Sequence, residues 1–380
     1  MGWIAIRMLT GDAVKYIGMI FGVAFSTLLI AQQSSIFVGL VDRASTVVRD
    51  VQDADLWVMD KRISNVDGSW PLPNTDLYRV RGVLGVAWAV PLLKATTTIN
   101  TESGKLETAT LIGVDDASLV GLPQKIVEGT RDALRAPGAI MMDKAGYQFL
   151  FGNEPWRKGR TLELNDSRAV IVGIVDSGAL FNSQISIFTQ YSSALNFAPG
   201  GRNRMSFILA KATPSEPPEI VADRVGKATG LKALSSVDFA RTTSDYVIGN
   251  TGIPISFGVV VLLGVLVGIV IVALTFTLFI RDNIKQFGAL KAIGVTNAKL
   301  VGMVMLQGLL VGIVGYAIGI GLAAVIIQGG AANAPALRGF FMPWEVAALA
   351  AAVVAIIIAV AGFGALRRVL ITDPASVFRG

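Results

Sequence analysis

Cysteine and histidine are both absent from this chain of 380 residues. Their absence excludes disulfide bonds, zinc sites built on thiolates, cysteine nucleophiles and histidine general bases. Charged residues are also scarce. They make up 16% of the chain, whereas a soluble globular protein carries about 25%. Hydrophobic residues account for 53%. This composition predicts a membrane protein.

Sequence signatures of catalysis and of nucleotide binding are missing as well. The chain contains no G-x-x-x-x-G-K-[ST] phosphate-binding loop, no G-x-S-x-G nucleophile elbow and no H-E-x-x-H zinc motif. Asp50, Asp53, Asp55 and Asp60 lie close together, but their spacing does not match a calcium-binding EF-hand loop, so we interpret them as a solvated surface. We therefore expect no catalytic residues, no metal site and no cofactor bound by this chain.

Four stretches of at least 21 residues contain no Asp, Glu, Lys or Arg. A helix needs about 20 apolar residues to cross the hydrocarbon core of a bilayer. The first stretch is also longer than the apolar core of a secretory signal peptide, which has about 7–15 residues. We therefore predict four membrane-spanning helices, near residues 16–40, 255–280, 301–327 and 346–368.

The basic residues predict the orientation of these spans. Segments 1–15, 281–299 and 367–380 contain nine Lys or Arg and three Asp, and this excess equals the whole net charge of +6. By the positive-inside rule, these segments and both termini are cytoplasmic, and the chain is a multi-pass protein of the cytoplasmic (inner) membrane. The positive charge then reflects topology and lipid headgroups, and a nucleic-acid partner is not expected.

The long segment between the first two spans has the polarity of a soluble domain. A β-hairpin is predicted around Asn165–Asp166. Runs rich in β-branched residues predict strands at Asp55–Met59, Val83–Ile99, Glu107–Val114, Thr161–Leu164, Ala169–Val175, Ile185–Phe188 and Met205–Ala210. Helical patterns occur at Asp115–Leu119, Pro217–Thr229 and Val237–Asn250. This mixture indicates an α+β module, with two subdomains split near residues 120–140 as one possibility.

The predicted fold class is an α-helical membrane protein with four transmembrane helices and an α+β extracytoplasmic domain inserted between the first and second spans. Residues 1–40 form an N-terminal amphipathic helix and the first span, residues 41–250 the extracytoplasmic domain, and residues 251–380 the remaining spans. Segments 39–51 and 237–250 are expected to form a stalk, although part of 39–51 is equally compatible with a short loop.

The cytoplasmic loop Arg281–Lys299 between the second and third spans is short, basic and amphipathic. As a helix over residues 283–295, it places an apolar residue at every third position, namely Ile284, Phe287, Leu290 and Ile293. Polar residues follow the other faces, namely Lys285, Gln286 and Lys291. Gly294 is suited to end this helix because glycine adopts a positive φ readily. Periodicity alone leaves two interpretations open: a connector on the membrane surface, or a coupling helix that docks on a soluble motor.

Glycines recur at four-residue spacing in the last three spans, a pattern that lets helix backbones approach closely. The pairs are Gly264/Gly268, Gly308/Gly312 and Gly315/Gly319. Dimerisation and packing within one helical bundle are both compatible with this spacing. Gln307 lies inside the third predicted span, where an amide forms an interhelical hydrogen bond or contributes to a substrate path.

The loop also resembles a known family. Residues 285–296, KQFGALKAIGVT, resemble the K-E-F-G-x-L-[KR]-A-[IL]-G-[AV]-[ST] loop of FtsX-like (MacB-type) ABC transporter permeases. In that family the loop follows the second of four spans and contacts the nucleotide-binding subunit. Gln286 is the main departure, because the family usually has Glu there.

Three further segments are similar to the same family, in the same order along the chain. The start of the chain, from Ile4 to Tyr16, resembles the amphipathic helix that leads into the first span. Ala54–Met59 resembles the ADxWV strand that opens the outer domain in the DevC/HrtB branch. The C-terminal segment Asp373–Arg379 is similar to the family's DPAxALR tail.

The resemblance implies a permease that is not an enzyme itself and that works with a separate ABC ATPase, in which ATP and Mg²⁺ are bound. It also implies a homodimer, or a heterodimer with a close relative, and allows a periplasmic adaptor protein. Phe287, Leu290 and Ile293 would anchor the ATPase contact, and Lys285 and Lys291 would steer it.

Three kinds of work fit this family. The first is efflux of a lipophilic compound, haem, a glycolipid or an antibiotic, which the Ala54–Met59 segment favours. Since His and Cys are absent, a haem cargo would be ligated by Tyr, Met or Lys. The second is signalling to cell-wall hydrolases, although the outer domains of such permeases are generally smaller. Lipoprotein extraction is the third.

Overall fold

The structure is a computed structural model that describes residues 2–68, 70–152, 154–199, 205–333 and 337–371. The chain divides into two compact units. The first, here called the helical unit, contains residues 1–39 and 252–380. The second, here called the inserted domain, is Leu40–Thr251.

The described residues form α-helices and β-strands in two distinct arrangements. The helices are α1 Gly2–Gly11, α2 Ala13–Ala44, α3 Thr46–Asp50, α4 Asn74–Arg81, α5 Lys144–Phe151, α6 Tyr191–Phe197, α7 Pro218–Thr229, α8 Ser236–Asn250, α9 Ile253–Asp282, α10 Ile284–Ala292, α11 Asn297–Asn333 and α12 Trp344–Ile371. The strands are β1 Leu56–Met59, β2 Val86–Asn100, β3 Leu106–Val114, β4 Ile126–Glu128, β5 Ala139–Asp143, β6 Thr161–Leu164, β7 Ser167–Val175, β8 Ser186–Gln190, β9 Phe207–Ala212 and β10 Lys232–Ser235.

In the described part of the chain, four helices are long and apolar enough to cross a membrane. They are α2, α9, the stretch Asn297–Gly330 of α11 and the stretch Trp344–Phe363 of α12. The four predicted spans are therefore confirmed, and each helix extends a few residues beyond its predicted bounds.

The helical unit has its own apolar core. Phe276 and Phe279 of α9 are fully buried in it, together with residues of α2, α11 and α12. The short helix α1 contributes Ala5 and Leu9 to the same core. Bulky side chains on one helix fill the spaces left by small residues on the next. The amphipathic N-terminal helix is thus part of the bundle.

An antiparallel sheet in the order β10-β1-β9-β2 forms one part of the inserted domain. Side chains on a strand alternate between its two faces. Leu56 and Val58 of β1 therefore join a core covered by α4 and α7, whereas Trp57 and Met59 join a second core on the opposite face. Because both faces are covered, every residue of β1 is buried.

The other part of the inserted domain is a closed circuit of six strands. Their order is β2-β3-β8-β5-β7-β6, and β6 pairs again with β2 through Ile99–Leu164. Leu111, Ile140 and Ile171 belong to the apolar core of this barrel. The long strand β2 is shared, since its first half pairs with β9 and its second half with β3.

The hairpin predicted around Asn165–Asp166 is present between β6 and β7. Both residues have positive φ, 47° and 63°. This combination defines the two central positions of a type I′ turn, which matches the twist of the flanking strands. Asn and Asp tolerate this backbone region better than other residues with side chains.

Several sequence expectations for the inserted domain were wrong. The split into two subdomains does not lie near residues 120–140. The chain passes from the sheet into the barrel along β2, and it returns to the sheet at β9. Residues 115–119 form a turn instead of the predicted helix. Segment 39–51, in contrast, extends the first span as expected, because α2 continues to Ala44 and α3 follows after Ser45.

Candidate functional site

Helix α10 occupies the loop between the second and third spans. It begins directly after Asn283, which is buried and whose side-chain amide nitrogen donates to the carbonyl oxygen of Phe279 at 2.9 Å. The backbone N–H of Phe287 donates to the carbonyl oxygen of Asn283 at 3.1 Å. The buried asparagine therefore joins the end of α9 to the first turn of α10.

A Schellman motif ends α10. The N–H of Gly294 donates to the carbonyl of Lys291, and the N–H of Val295 donates to the carbonyl of Leu290, each at 3.1 Å. Gly294 has φ of +89°, a conformation that residues with a side chain rarely adopt. Leu290 and Val295 both pack against the core of the helical unit. These contacts fix the length and direction of α10, and the next helix starts after Thr296.

The apolar residues of α10 do not share one exposed face. Phe287 is 3% exposed and belongs to the core of the helical unit, whereas Ile293 is 78% exposed. Leu290 is partly buried against the same core. The predicted role of Phe287 as an anchor for a partner is therefore corrected: its side chain already holds α10 on its own bundle, so it offers no surface for docking.

The exposed surface of α10 has a mixed chemistry. The exposed residues of α10 are Lys285, Gln286, Ala289 and Ala292, and Lys291 is partly exposed; the exposed Ile293 follows directly as the C-cap of the helix. The small side chains of Ala289 and Ala292 lie between the polar residues at the start of the helix and Ile293 at its end. The exposed surface therefore has a basic part, a part with only small side chains and an apolar part.

A polar cluster lies at the start of α10. The Lys15 ammonium forms ion pairs with the carboxylates of Asp12 and Asp282. Asp12 also accepts a hydrogen bond from the backbone N–H of Lys15 at 3.3 Å, so it caps α2. The Lys15 ammonium lowers the pKa of Asp12 below its ordinary value by donating a hydrogen bond to the carboxylate.

A groove of about 760 Å³ opens beside this cluster. Its wall includes Trp3 and Arg7 of α1, the carboxylates of Asp12 and Asp282, and Gln286 of α10. The Arg7 guanidinium lies 5.3 Å from the centre of the Trp3 ring, which is a cation–π distance. The first turn of α10 is therefore bordered by an open groove lined by charges of both signs.

The six glycines singled out in the spans lie at contacts within the chain. A Cβ atom on Gly268 would come within 2.9 Å of Ser26 Cβ on α2, and one on Gly312 within 2.2 Å of Ile358 Cδ1 on α12. The others meet neighbours in the same way: Gly264 faces Leu29, Gly308 faces Ile358, Gly315 faces Val23 and Gly319 faces Ala24. Of the two uses left open by the spacing, packing within one bundle accounts for all six.

Gln307 is fully buried and joins α11 to α1. Its side-chain nitrogen donates to the carbonyl oxygen of Ala5 at 2.8 Å. Its side-chain oxygen is buried without a hydrogen-bond partner. The amide therefore forms an interhelical hydrogen bond, the first of the two uses considered for it.

Sequence reasoning missed part of the helix packing and the whole ion cluster. Gly18, Gly22 and Ser26 of α2 continue the four-residue spacing of small residues, and Gly22 faces Ile271 on α9. The Ser26 hydroxyl donates to the carbonyl of Gly264 at 2.8 Å. This spacing was a usable signal. The Lys15–Asp282 pair had none, because 267 residues separate its members.

The four clustered carboxylates of the inserted domain each bind a different partner. Asp50 accepts from the N–H of Gly178 at 2.9 Å, Asp53 pairs with Arg131 at 3.0 Å and Asp55 pairs with Lys211 at 3.2 Å. Asp60 pairs with Arg62, and this contact lowers its pKa to about 2. No group of three or more acidic side chains in the described residues is arranged to hold a metal ion.

Two segments that carried the family resemblance have structural roles or lie outside the described residues. Trp57, in the Ala54–Met59 segment, is fully buried and packs edge-on against Phe207 with ring centres 5.3 Å apart. This segment therefore builds the core of the inserted domain. The tail Asp373–Arg379 lies outside the described residues.

Two family models match complementary parts of the chain. The model for the MacB-like periplasmic core domain matches residues 16–228, more than half of the chain. The model for the FtsX-like permease C-terminal region matches residues 258–374, which include α10.

Individual proteins are also similar to this chain in sequence or in structure. Two proteins named as uncharacterized ABC transporter permeases, from the CDC 1551 and H37Rv strains of Mycobacterium tuberculosis, are each 26% identical over 315 residues, which is 82% of this chain and 80% of theirs. The periplasmic region of MacB from Actinobacillus actinomycetemcomitans is 17% identical and covers 54% of this chain and 96% of its own, with a TM-score of 0.37. The extracellular domain of the transporter YknZ from Gram-positive bacteria is 16% identical and covers 48% and 98%, with a TM-score of 0.36. From the two family models, the chain belongs to the MacB/FtsX type of ABC transporter permease.

Proposed function

We propose that this permease passes the motion of a separate ABC ATPase through α10, its coupling helix, to work done by the inserted domain outside the membrane. The observation that carries this proposal is the form of α10. It is a short helix fixed to its bundle by Phe287 and by the Schellman motif, and it presents a different face outward. A helix fixed on one side and exposed on the other is suited to receive a force and move its bundle with it.

The charge distribution supports an orientation with α10 and both termini in the cytoplasm of the cytoplasmic (inner) membrane. The loop that contains α10 has four basic residues and one acid between 281 and 299. The inserted domain then lies outside, and a periplasmic adaptor would bind there. ATP and Mg²⁺ would be bound by the partner ATPase, since this sequence has no phosphate-binding loop.

A homodimer is the assembly we propose, with α9 as its central helix. Of the four candidate spans, α9 has the smallest buried share within the chain, 17% of its most apolar window. Its exposed residues include Ile255, Val259, Leu262 and Leu266, which recur at spacings of four, three and four. This spacing is that of helices that pack side by side with a small crossing angle.

The absence of cysteine makes this assembly directly testable. A single cysteine at Leu262 on α9 should give a disulfide-linked dimer in membranes under mild oxidation. A single cysteine at Ile313 on α11, which is 57% exposed, should not. Equal cross-linking at both positions would show random encounters and would count against the dimer.

Efflux of a lipophilic compound is the work we propose for the whole transporter, with haem or an antibiotic as possible cargoes. The size of the inserted domain supports export over signalling to cell-wall hydrolases. A deletion strain separates the possibilities: sensitivity to a toxin or to haem supports efflux, whereas chained cells or mislocalised lipoproteins would contradict it.

The test of the coupling helix compares one isoleucine with one valine whose side chains are similarly exposed, 78% for Ile293 and 77% for Val237. Ile293→Asp, at the C-cap of α10, should abolish co-purification with the cognate ATPase and the ATP hydrolysis that depends on the permease. Val237→Asp is the matched control, because Val237 is 77% exposed but lies on α8 of the inserted domain. It should leave both activities at the wild-type level. Normal association of an Ile293→Asp permease that is correctly inserted would rule out the proposed docking surface.

A further inference from the structure

The Lys15 ion cluster joins three helices at one point. Asp12 lies between α1 and α2, Lys15 lies in the first turn of α2, and Asp282 is the last residue of α9. Asp282 is followed by the buried Asn283, after which α10 begins. The lysine therefore connects the N-terminal end of the first span with the start of the coupling helix.

The cluster contributes little to holding the fold together. The side chain of Lys15 is 22% exposed and that of Asp282 is 54% exposed, and ion pairs in contact with solvent contribute little to stability. Phe287 and the Schellman motif already attach α10 to the bundle. The Lys15–Asp282 pair adds little to the free energy of unfolding, but it joins α2 to the end of α9. It therefore affects the relative position of these helices more than the stability of the fold.

The groove beside the cluster allows this position to change. Asp282 and Gln286 both line it, so a displacement of α10 has open space on that side instead of a packed wall. Close-packed contacts permit few intermediate arrangements, whereas an ion pair beside water follows a shift of its partner without opening a cavity.

The length of α2 also matters for this link. It is one uninterrupted helix from Ala13 to Ala44, and a helix of this length transmits a push on its first turn along its whole axis. The loop that contains α10 is continuous only with α9 and α11. Without the ion pair, a movement of α10 would reach α2 only through the packing of α9 and through the hydrogen bond from Ser26 to the Gly264 carbonyl near the middle of these helices.

We propose that Lys15 is a positioning residue that links α10 to α2, so that movement of the coupling helix drives the first span directly. The proposal rests on the proposed function of α10. It assigns Lys15 and Asp282 to transmission of the motion, and it assigns them no part in binding the ATPase.

The experiment measures the movement of α2 by distances between spin labels. Because the native chain has no cysteine, Phe21→Cys on α2 and Leu322→Cys on α11 provide the only two labels in each copy of the permease. Both residues are exposed. The distance distribution is recorded with and without ATP in the full complex with the ATPase, next to co-purification and ATP hydrolysis.

Lys15→Met should reduce the ATP-dependent change in this distance by at least half, while the permease still binds the ATPase at the wild-type level. Asp282→Asn should have the same effect, and the double variant should lose no more than either single variant. Lys15→Arg should retain the change because it keeps the cation. Asp12→Asn is the control that leaves the pair with Asp282 in place, and it should retain the change as well.

Three results would overturn the inference: a normal distance change in Lys15→Met, additive losses in the double variant, or an equal loss in Asp12→Asn. The last would mean that Lys15 acts only through the cap of α2. These failures differ from failure of the proposed function, in which Ile293→Asp would still bind the ATPase.

Discussion

Gly319 of α11 lies so close to the carbonyl oxygen of Ala24 on α2 that a Cβ atom at residue 319 would be 2.5 Å from that oxygen. The neighbour is backbone, so it cannot turn away as the end of a flexible side chain would. We expect Gly319→Ala to lower the free energy of unfolding by about 1–3 kcal/mol, the range for overpacked cores. Unfolding of the full chain in mixed micelles with increasing SDS measures this change.

Gly321 provides the matched control on the same helix. A Cβ atom there would meet no other atom within 4 Å, so Gly321→Ala adds only helix propensity and should stabilise by up to about 1 kcal/mol. Equal effects of the two substitutions would show that α2 and α11 are not in close contact.

Phe287 is predicted to matter for stability more than for binding. Phe287→Ala should lower the free energy of unfolding by about 3–5 kcal/mol, the cost of removing a buried aromatic ring. Thermal unfolding of the purified permease without its ATPase detects this loss. A stable Phe287→Ala protein that fails to bind the ATPase would restore the anchoring role that the burial of the ring contradicts.

Gln307 carries a buried oxygen without a partner, so its replacement by an apolar residue of similar size should be tolerated. Leaving a buried acceptor unpaired costs about 1–3 kcal/mol, which offsets the hydrogen bond to Ala5. We expect Gln307→Leu to be neutral or stabilising in the SDS titration. Gln307→Glu, in contrast, places a carboxyl group in a fully buried position, and it should be clearly destabilising. A large loss in Gln307→Leu would show that the hydrogen bond to α1 dominates.

Asp60 makes the inserted domain sensitive to acid. Its pairing with Arg62 lowers its pKa from 3.8 to about 2, so the folded state favours the ionised form. The resulting stabilisation is complete above pH of about 4 and is lost as the pH falls towards 2. Thermal midpoints of the wild type and of Asp60→Asn should therefore differ at pH 6, and the difference should shrink below a pH of about 4 and be mostly lost at a pH of about 2. A difference that stays constant over this range would contradict the shift.

The four spans and much of the inserted domain were predictable because their signals are local. Long charge-free stretches identify the spans, and the dipeptide Asn165–Asp166 indicates its turn type. The strand Ala139–Asp143 was missed because its two methionines are not typical strand residues, although both are buried. The barrel was not predictable at all, since its closure depends on the pairing of Ile99 with Leu164, and no local pattern specifies that pair.

The coupling helix shows the same limit at a smaller scale. Its start and its glycine end followed from sequence, and the Schellman hydrogen bonds of Gly294 and Val295 explain why it stops at Ala292, three residues before the predicted bound. Which apolar residue faces outward did not follow, because the period of three treats Phe287 and Ile293 as equivalent. Only the position of the neighbouring helices makes one of them core and the other surface.

The closed circuit of strands in the inserted domain has a consequence for recognition outside the membrane. A sheet edge with unpaired N–H and C=O groups accepts an added strand from another protein. Here the two strands at the ends of the hydrogen-bonded path are β4 and β10, with three and four residues. Such short edges offer little backbone to an incoming peptide. A protein that binds the inserted domain must therefore contact its side chains. Point substitutions on the surface of the inserted domain are then sufficient to change which protein binds.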